Sequence, residues 1–165
     1  MKPEVEISIG CPEWKSLPDF SDSIDGAIAA AFENCGKRLA GNTEVSLLLC
    51  DDETIRSINK KWRGIDNATN VLSFPSPGKL DQKPVLGDIA IAFETTRAEA
   101  LAEGKTINAH FSHLLVHGFL HLVGFDHETE TEADEMEAME RLILSKLGVA
   151  DPYLGSVLAE DQSSQ

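Results

Sequence analysis

The sequence predicts a single α/β (α+β) domain in which a small mixed sheet packs against helices. Two observations support this fold class. Short aliphatic and β-branched runs alternate with helix-length amphipathic runs, in the order strand, helix, strand, helix, two strands, then helices. The chain of 165 residues is also long enough for one domain that buries about 70% of its unfolded surface. A three-layer sandwich is compatible with this order of elements.

The first third of the chain predicts a strand and a long helix. Residues 5–9 read VEISI, and this alternation of apolar and polar residues is typical of a strand. Ser21 or Asp22 is a suitable helix cap. Apolar residues then recur at helical spacing as far as Leu39, and Gly41 follows as a stop signal.

A second strand, a short helix and a polar loop follow. The strand is predicted over residues 43–50 (TEVSLLLC), and the helix runs from 53 to 62. Asp51 or Asp52 caps this helix. Residues 63–70 (RGIDNATN) contain Gly and Asn turn signals and predict a loop.

The second half predicts two strands and three helices. The strands are residues 71–74 and 86–93, separated by an exposed loop at 76–85. The helices are predicted near residues 94–103, from about Thr106 through the histidines, and over about 131–147. The buried stripe of the last helix is expected to comprise Met136, Met139, Leu142, Ile143 and Leu147.

Charge is unevenly distributed along the chain. The net charge of −14 argues against loose, general binding to nucleic acid. Residues 126–140 hold eight acids and no Lys or Arg, which is typical of the solvated face of a helix. Nine of the fourteen basic residues lie between Lys37 and Arg97. A local basic surface is therefore compatible with the negative net charge of the protein.

Cysteine spacing and hydropathy indicate a cytoplasmic protein. The cysteines at 11, 35 and 50 form no CxxC motif, and we expect them to be small buried side chains in a reducing compartment. No run of 18 apolar residues predicts a membrane span, and the first residues do not resemble a signal peptide. We expect one domain over residues 1–154 and a flexible tail over 155–165.

All five histidines lie between residues 110 and 127. His117 and His121 are four residues apart, so a helix projects both rings from one face. Gly124 can end that helix in a left-handed conformation and let the chain return His127 to the same point. Three imidazoles leave a fourth position open, as in a catalytic zinc site. We therefore predict one Zn²⁺ ion held by these three residues, although imidazole also suits other transition metals.

The spacing of this cluster is that of the metzincin signature, HExxHxxGxxH, so the fold prediction places a metal site on a metzincin-like helix. Gly118 stands where metzincins carry the Glu that acts as general base, which disfavours peptide hydrolysis. The pair His113 and His117 has the same helical spacing, but it lacks the matching offset to Gly124. Buried core histidines are the alternative, but four rings within about 80° of one helix are uncommon in a core.

A second group of residues precedes the third strand. Lys60 and Lys61 are expected to be solvated and Trp62 to belong to the core, although Trp could instead stack on a base. For Arg63, the spacing is equally compatible with a solvated surface charge and with a side chain that binds phosphate. Asp88 either caps a turn or supports the site.

The chain resembles the YbeY family of bacterial endoribonucleases. The matching segments are INKKWRGIDNATNVLSFP (58–75), LGDIAIAFETT (86–96), HFSHLLVHGFLHLVGFDH (110–127), EADEMEAME (132–140) and ADPY (150–153). They occur in the family's order over residues 45–153, and HGxLHLxGxDH is highly specific to it. Trp62 and Phe125 replace tyrosines that are usual in the family.

The resemblance implies a single-strand-specific, metal-dependent endoribonuclease that matures the 3′ end of 16S rRNA and acts in ribosome quality control. It implies single-stranded rRNA as substrate and the small ribosomal subunit with its assembly factors as partners, in the cytoplasm. The family's metal ligands fall on His117, His121 and His127, and its functionally important Arg falls on Arg63.

Three functions remain open at this point: the endoribonuclease, a ribosome-assembly factor whose metal is structural, and another zinc hydrolase such as a weak peptidase. Proton transfer in the first could fall to water at the metal, to His113 or to the RNA 2′-OH. His113 could alternatively hold a metal ligand in position through a hydrogen bond. His110 is given no role.

Overall fold

One mixed sheet forms the framework of the fold. The computed structural model describes residues 2–153, so the tail predicted at 155–165 lies outside the described residues. The strands are β1 (Glu4–Ile9), β2 (Glu44–Cys50), β3 (Val71–Pro75) and β4 (Val85–Ala92). Their order is β1-β2-β4-β3, with β3 antiparallel to β4 and the other pairs parallel. The predicted class of a small mixed sheet packed against helices is confirmed.

Helices lie on both faces of this sheet. In the described part of the chain they are α1 (Phe20–Asn34), α2 (Asp52–Arg63), α3 (Phe93–Ala102), α4 (Ile107–Leu122) and α5 (Glu130–Lys146). Asp51 caps α2 and Thr106 caps α4, each through a side-chain oxygen that accepts a backbone N–H. A short 3-10 helix, Pro12–Ser16, was not predicted. Its Trp14 is fully buried and donates its ring N–H to the carbonyl of Cys50.

The predicted limits of α1 are wrong at both ends. The helix cap is Asp19, while Ser21 and Asp22 lie inside the first turn. The helix stops at Asn34, well before Gly41, because Gly36 adopts a left-handed conformation with φ +72°. Apolar residues beyond this point, such as Leu39, pack against the core without continuing the helix.

Helix α4 lies in the centre of the main core. Ten of its sixteen residues are buried, and its apolar side chains share one cluster with side chains of α1, α5, β2 and β4. On the other face of the sheet, Ile55 of α2 forms a smaller cluster with Cys50, Leu72, Ala90 and Ala92. The fold therefore has three layers, with α2 on one face of the sheet and the main core on the other. On its own face, α2 covers the end of the sheet at Cys50 and Ala92. The cysteines at 11, 35 and 50 are all buried, as expected.

Helix α5 buries most of the predicted stripe, since Met139 and Leu147 also pack partly buried against the main core. Leu142 is 46% exposed, whereas Leu144 and the carboxylate-bearing Glu140 are buried. Met136 and Ile143 are buried as expected. The burial of Glu140 within this face is tolerable because its carboxylate has hydrogen-bond partners on α4. Within residues 2–153, no helix combines the length and hydropathy needed to cross a membrane.

The pairing of β3 with β4 depends on Gly87. Its φ is +147°, and an added Cβ would lie 2.3 Å from the carbonyl oxygen of Phe74 and 3.0 Å from Cα of Pro75. We expect Gly87→Ala to lower the free energy of unfolding by about 3 kcal/mol, because backbone atoms must move. Urea denaturation monitored by circular dichroism measures the change.

Gly104→Ala is the matched control. Gly104 also has a positive φ, +68°, but an added Cβ there meets nothing within 4 Å. It should therefore cost only about 1 kcal/mol, the intrinsic strain of an L-residue in this conformation. Equal losses in the two variants would contradict a steric role for Gly87.

Candidate metal centre

Helix α4 and the turn after it bring three imidazoles together. His117 and His121 lie one turn apart, and their Nε2 atoms are 3.1 Å from each other. Gly124 has φ +100° and reverses the chain, which returns His127 to the same point. The ligand atoms of the three rings all lie within 4.8 Å of one another. The residues singled out by spacing thus form one cluster.

The outer nitrogen of each helical ring is held by an acceptor. Nδ1 of His117 lies 2.9 Å from Oε1 of Glu140, and Nδ1 of His121 lies 3.0 Å from the carbonyl oxygen of Phe125. Carboxylate and carbonyl oxygens only accept hydrogen bonds, so both Nδ1 atoms must carry the proton. In the neutral rings, the lone pairs of both Nε2 atoms therefore point into the cluster.

This arrangement fits a bound cation. Two nitrogen lone pairs that face each other at 3.1 Å repel unless a proton or a metal ion lies between them. Nitrogen ligands of a tetrahedral zinc ion lie about 3.3 Å apart, which is close to this separation. Burial lowers the pKa of His121, and the neighbouring rings of His117 and His127 lower it further. The neutral, metal-binding form is thereby favoured.

Glu140 organises the side of the centre that faces α5. It is 1% exposed, and it also accepts from Nε2 of His113 at 2.5 Å and from the hydroxyl of Tyr153 at 2.6 Å. Burial acts to raise the pKa of Glu140, but the hydrogen bonds from His113 and His117 outweigh burial and hold this pKa below its ordinary value. The carboxylate is therefore ionised and fully paired.

Sequence reasoning missed Glu140. The acidic run at 126–140, in which it stands, predicts a solvated helix face, and this prediction is wrong at Glu140. A signal was present, because Glu140 lies four residues after the buried Met136 and three before the buried Ile143. An acid at a buried position of a helix requires a partner.

His113 and His110 lie beside the cluster of candidate ligands. Nε2 of His113 is committed to Glu140, and the ring lines a separate cavity of about 180 Å³ that His110 also lines. His113, His117 and Glu140 are close enough to hold an ion themselves, but their hydrogen bonds already account for their proximity. His110, which had no predicted role, bonds to Glu99 at 2.8 Å.

Arg63 reaches the candidate centre from the end of α2. It lines a cavity of about 760 Å³ together with His117, His121 and His127. The side chain is exposed, and among residues 2–153 it makes no hydrogen bond or ion pair. The two sequence motifs, about 50 residues apart, therefore face one cavity with a cationic group available for an anion.

Two neighbouring predictions are corrected. Trp62 is 67% exposed and does not belong to the core, because α2 turns Ile55 and Asn59 toward the sheet instead. Asp88 is exposed in the middle of β4, opposite Phe74. It neither caps a turn nor lines the cavity of the histidines. Lys60 and Lys61 are exposed as predicted.

Gly118 faces the sheet and not the metal cluster. A Cβ at this position would lie 3.0 Å from Cγ2 of Ile89 and 3.2 Å from Oγ of Ser73. Its carbonyl oxygen accepts a hydrogen bond from the Ser73 hydroxyl at 3.1 Å. The side chain of a glutamate here would point into the packed interface of α4 with the sheet, which disfavours a peptidase base at this position.

The chain is similar to known proteins over most of its length. A family model described as Endoribonuclease YbeY matches residues 15–148. A protein of that name from Methylocella silvestris is 46% identical over 93% of this chain and 87% of its own length. Another from a Bradyrhizobium species is 50% identical over 92% of each chain. A solution structure from Thermotoga maritima shares the fold, with a TM-score of 0.55, 20% identity, and coverage of 90% of this chain and 97% of its own.

The role of Glu140 can be tested through metal affinity. Glu140→Gln leaves one acceptor oxygen where His113, His117 and Tyr153 now donate to two. Its NH₂ group cannot accept, so the rings of His113 and His117 cannot both keep their fixed orientation. We expect zinc affinity to fall by about 10–100-fold. Competition with a chromophoric chelator measures the affinity, and circular dichroism checks that the variant is folded.

Glu135→Gln is the matched control, since Glu135 is an exposed acid on the same helix. It removes the same charge and should leave zinc affinity unchanged. Wild-type affinity in Glu140→Gln, or an equal loss in both variants, would refute the orienting role of Glu140.

Proposed function

The chain belongs to the YbeY family of endoribonucleases, and from this premise we propose that it is a metal-dependent endoribonuclease that cuts single-stranded RNA in rRNA processing. The proposal extends to maturation of the 3′ end of 16S rRNA and to ribosome quality control. The observation that carries it is the cavity shared by Arg63 and the three imidazoles. This cavity pairs a site for a divalent cation with a site for a phosphate.

In the proposal, His117, His121 and His127 hold one divalent ion, for which zinc is the identity we propose. When bound, such an ion supplies Lewis-acid chemistry at a phosphate oxygen. Glu140 and the carbonyl of Phe125 orient two of the rings through their Nδ1 protons. His113 acts through Glu140 and is a positioning residue, since it does not line the cavity.

Arg63 is proposed to bind the scissile phosphate. A guanidinium presents paired donors that match two phosphate oxygens, and its charge is preorganised for the additional negative charge of the transition state. The position suits this role because Gly64, with φ +72°, ends α2 directly after Arg63 and leaves the side chain at the cavity wall.

The strongly negative net charge of the chain is consistent with an RNA substrate that is presented by a partner. A net charge of −14 repels free RNA at long range. We therefore propose that the small ribosomal subunit and its assembly factors place the RNA at the site, in the cytoplasm. The alternative of a peptidase is disfavoured by the packing around Gly118.

The activity is tested by offering the purified protein single-stranded RNA, duplex RNA and casein, with and without a chelator. We expect only single-stranded RNA to be cut, and we expect the chelator to stop cleavage. Metal analysis of the same preparation identifies the ion. Intact RNA in every lane despite stoichiometric metal would refute the nuclease and favour an assembly factor with a structural metal.

Single substitutions distinguish the proposed phosphate-binding residue from the proposed metal ligands. Arg63→Ala should reduce cleavage by about 100-fold or more, because one preorganised cationic contact to the transition state is lost. Its metal content should remain that of the wild type. His121→Ala should lose the metal itself, as measured by inductively coupled plasma mass spectrometry.

Arg56→Ala is the control for Arg63, since Arg56 is exposed on the same helix and pairs with Asp66 outside the cavity. It should retain cleavage close to the wild-type rate. Loss of metal in Arg63→Ala, or full activity in that variant, would contradict the proposed division of roles.

A further inference from the structure

An open groove lies on the sheet face that α2 leaves uncovered. Its volume is about 720 Å³, and its apolar walls include Leu48, Ile58, Trp62, Phe74 and Pro75. It is distinct from the cavity of the histidines, but Pro75 lines both. The groove and the cavity therefore adjoin along the end of β3.

Trp62 is the most unusual residue of this groove. It is 67% exposed, whereas the other tryptophan, Trp14, is completely buried. A large aromatic ring held in solvent on a rigid helix contributes little to folding, and such rings serve as stacking platforms in single-strand binding proteins. Its position in the chain, directly before Arg63, ties it to the proposed phosphate site.

The charges around the groove favour a base inside it and phosphates outside it. Lys60, Lys61 and Arg63 form a cationic last turn of α2, and Nζ of Lys61 lies 5.2 Å from the centre of the Trp62 ring. The carboxylates of Glu6 and Asp88 line the groove itself. They repel phosphate, but they can accept hydrogen bonds from the amino groups of bases.

We propose that this groove binds a nucleobase of the RNA strand, stacked on Trp62, next to the phosphate held by Arg63. The inference rests on the proposed function, because the same strand must occupy the neighbouring cavity. The strand would pass over Pro75, with its backbone along the basic end of α2. Trp62 is then a substrate-binding residue that contributes affinity without taking part in phosphodiester chemistry.

Binding is measured with a single-stranded RNA whose 2′-hydroxyls are methylated so that it cannot be cut through them. Because Trp14 is completely buried, quenching of tryptophan fluorescence by the RNA reports on Trp62. We expect quenching in the wild type, none in Trp62→Phe, and about tenfold weaker binding by anisotropy in Trp62→Ala. Trp62→Phe keeps a stacking ring and should bind with intermediate affinity.

Leu101→Ala is the control, since Leu101 is also a strongly exposed large apolar side chain, at 72%, and lies on α3 away from the groove. It should bind RNA like the wild type. Unchanged RNA affinity in Trp62→Ala, as expected if the groove instead docks a protein, would overturn the proposal. An equal loss in Leu101→Ala would overturn it as well.

The contact is located by scanning cleavable RNAs that carry one abasic ribose at successive positions around the cleavage site. At one position the missing base should raise KM for the wild type about tenfold and leave KM for Trp62→Ala unchanged. An equal rise in KM for the wild type and for Trp62→Ala at every abasic position would overturn the proposal.

The two proposals fail in different ways. If the wild type cuts RNA and the Trp62 variants bind it normally, the stacking site is wrong and the nuclease stands. If the wild type binds RNA with quenching of Trp62 but does not cut it, the stacking contact stands and the nuclease is wrong.

Discussion

The hydrogen bond between Glu140 and His117 is the contact on which the candidate metal centre depends. It joins the two helices α4 and α5 through a buried carboxylate, and it requires the His117 proton to lie on Nδ1. Glu140 is itself paired with His113 and Tyr153, so its charge has three partners in the protein interior. A buried ion with this many hydrogen bonds is tolerated, while one without partners is strongly destabilising.

The need to hold these imidazoles in place also explains which residues occupy each face of α4. This helix must bury an apolar surface against the sheet and α1, and it must also present imidazoles to α5 and to the cavity. Ten of its sixteen residues are buried, and Gly118 gives the sheet the close approach that a larger residue would prevent. The helix is therefore held from several sides, which keeps the positions of His117 and His121 well defined. Rigid placement is what a metal site requires of its ligands.

The end of α2 connects the metal centre with the open face of the sheet. Arg63 lines the cavity of the histidines, and the preceding Trp62 lines the groove on the uncovered face. Two consecutive helical residues project in directions about 100° apart, so a single turn of helix serves both surfaces. In the proposed function, this basic turn on a chain with a net charge of −14 concentrates the attraction for RNA at this place.

Local patterns in the sequence were sufficient for much of the fold and for the candidate ligands. The strands, the cap at Asp51, the start of α4 near Thr106, and the spacing of His117, His121 and His127 all depend on periodicity and turn chemistry over a few residues. Only the tertiary structure decided the burial of Glu140 and the exposure of Trp62. Both depend on which face a helix turns toward its neighbours, and this is set by packing between elements distant in sequence. The meeting of Arg63 with the histidines depends on the same packing, because the sheet order β1-β2-β4-β3 brings their elements to one cavity.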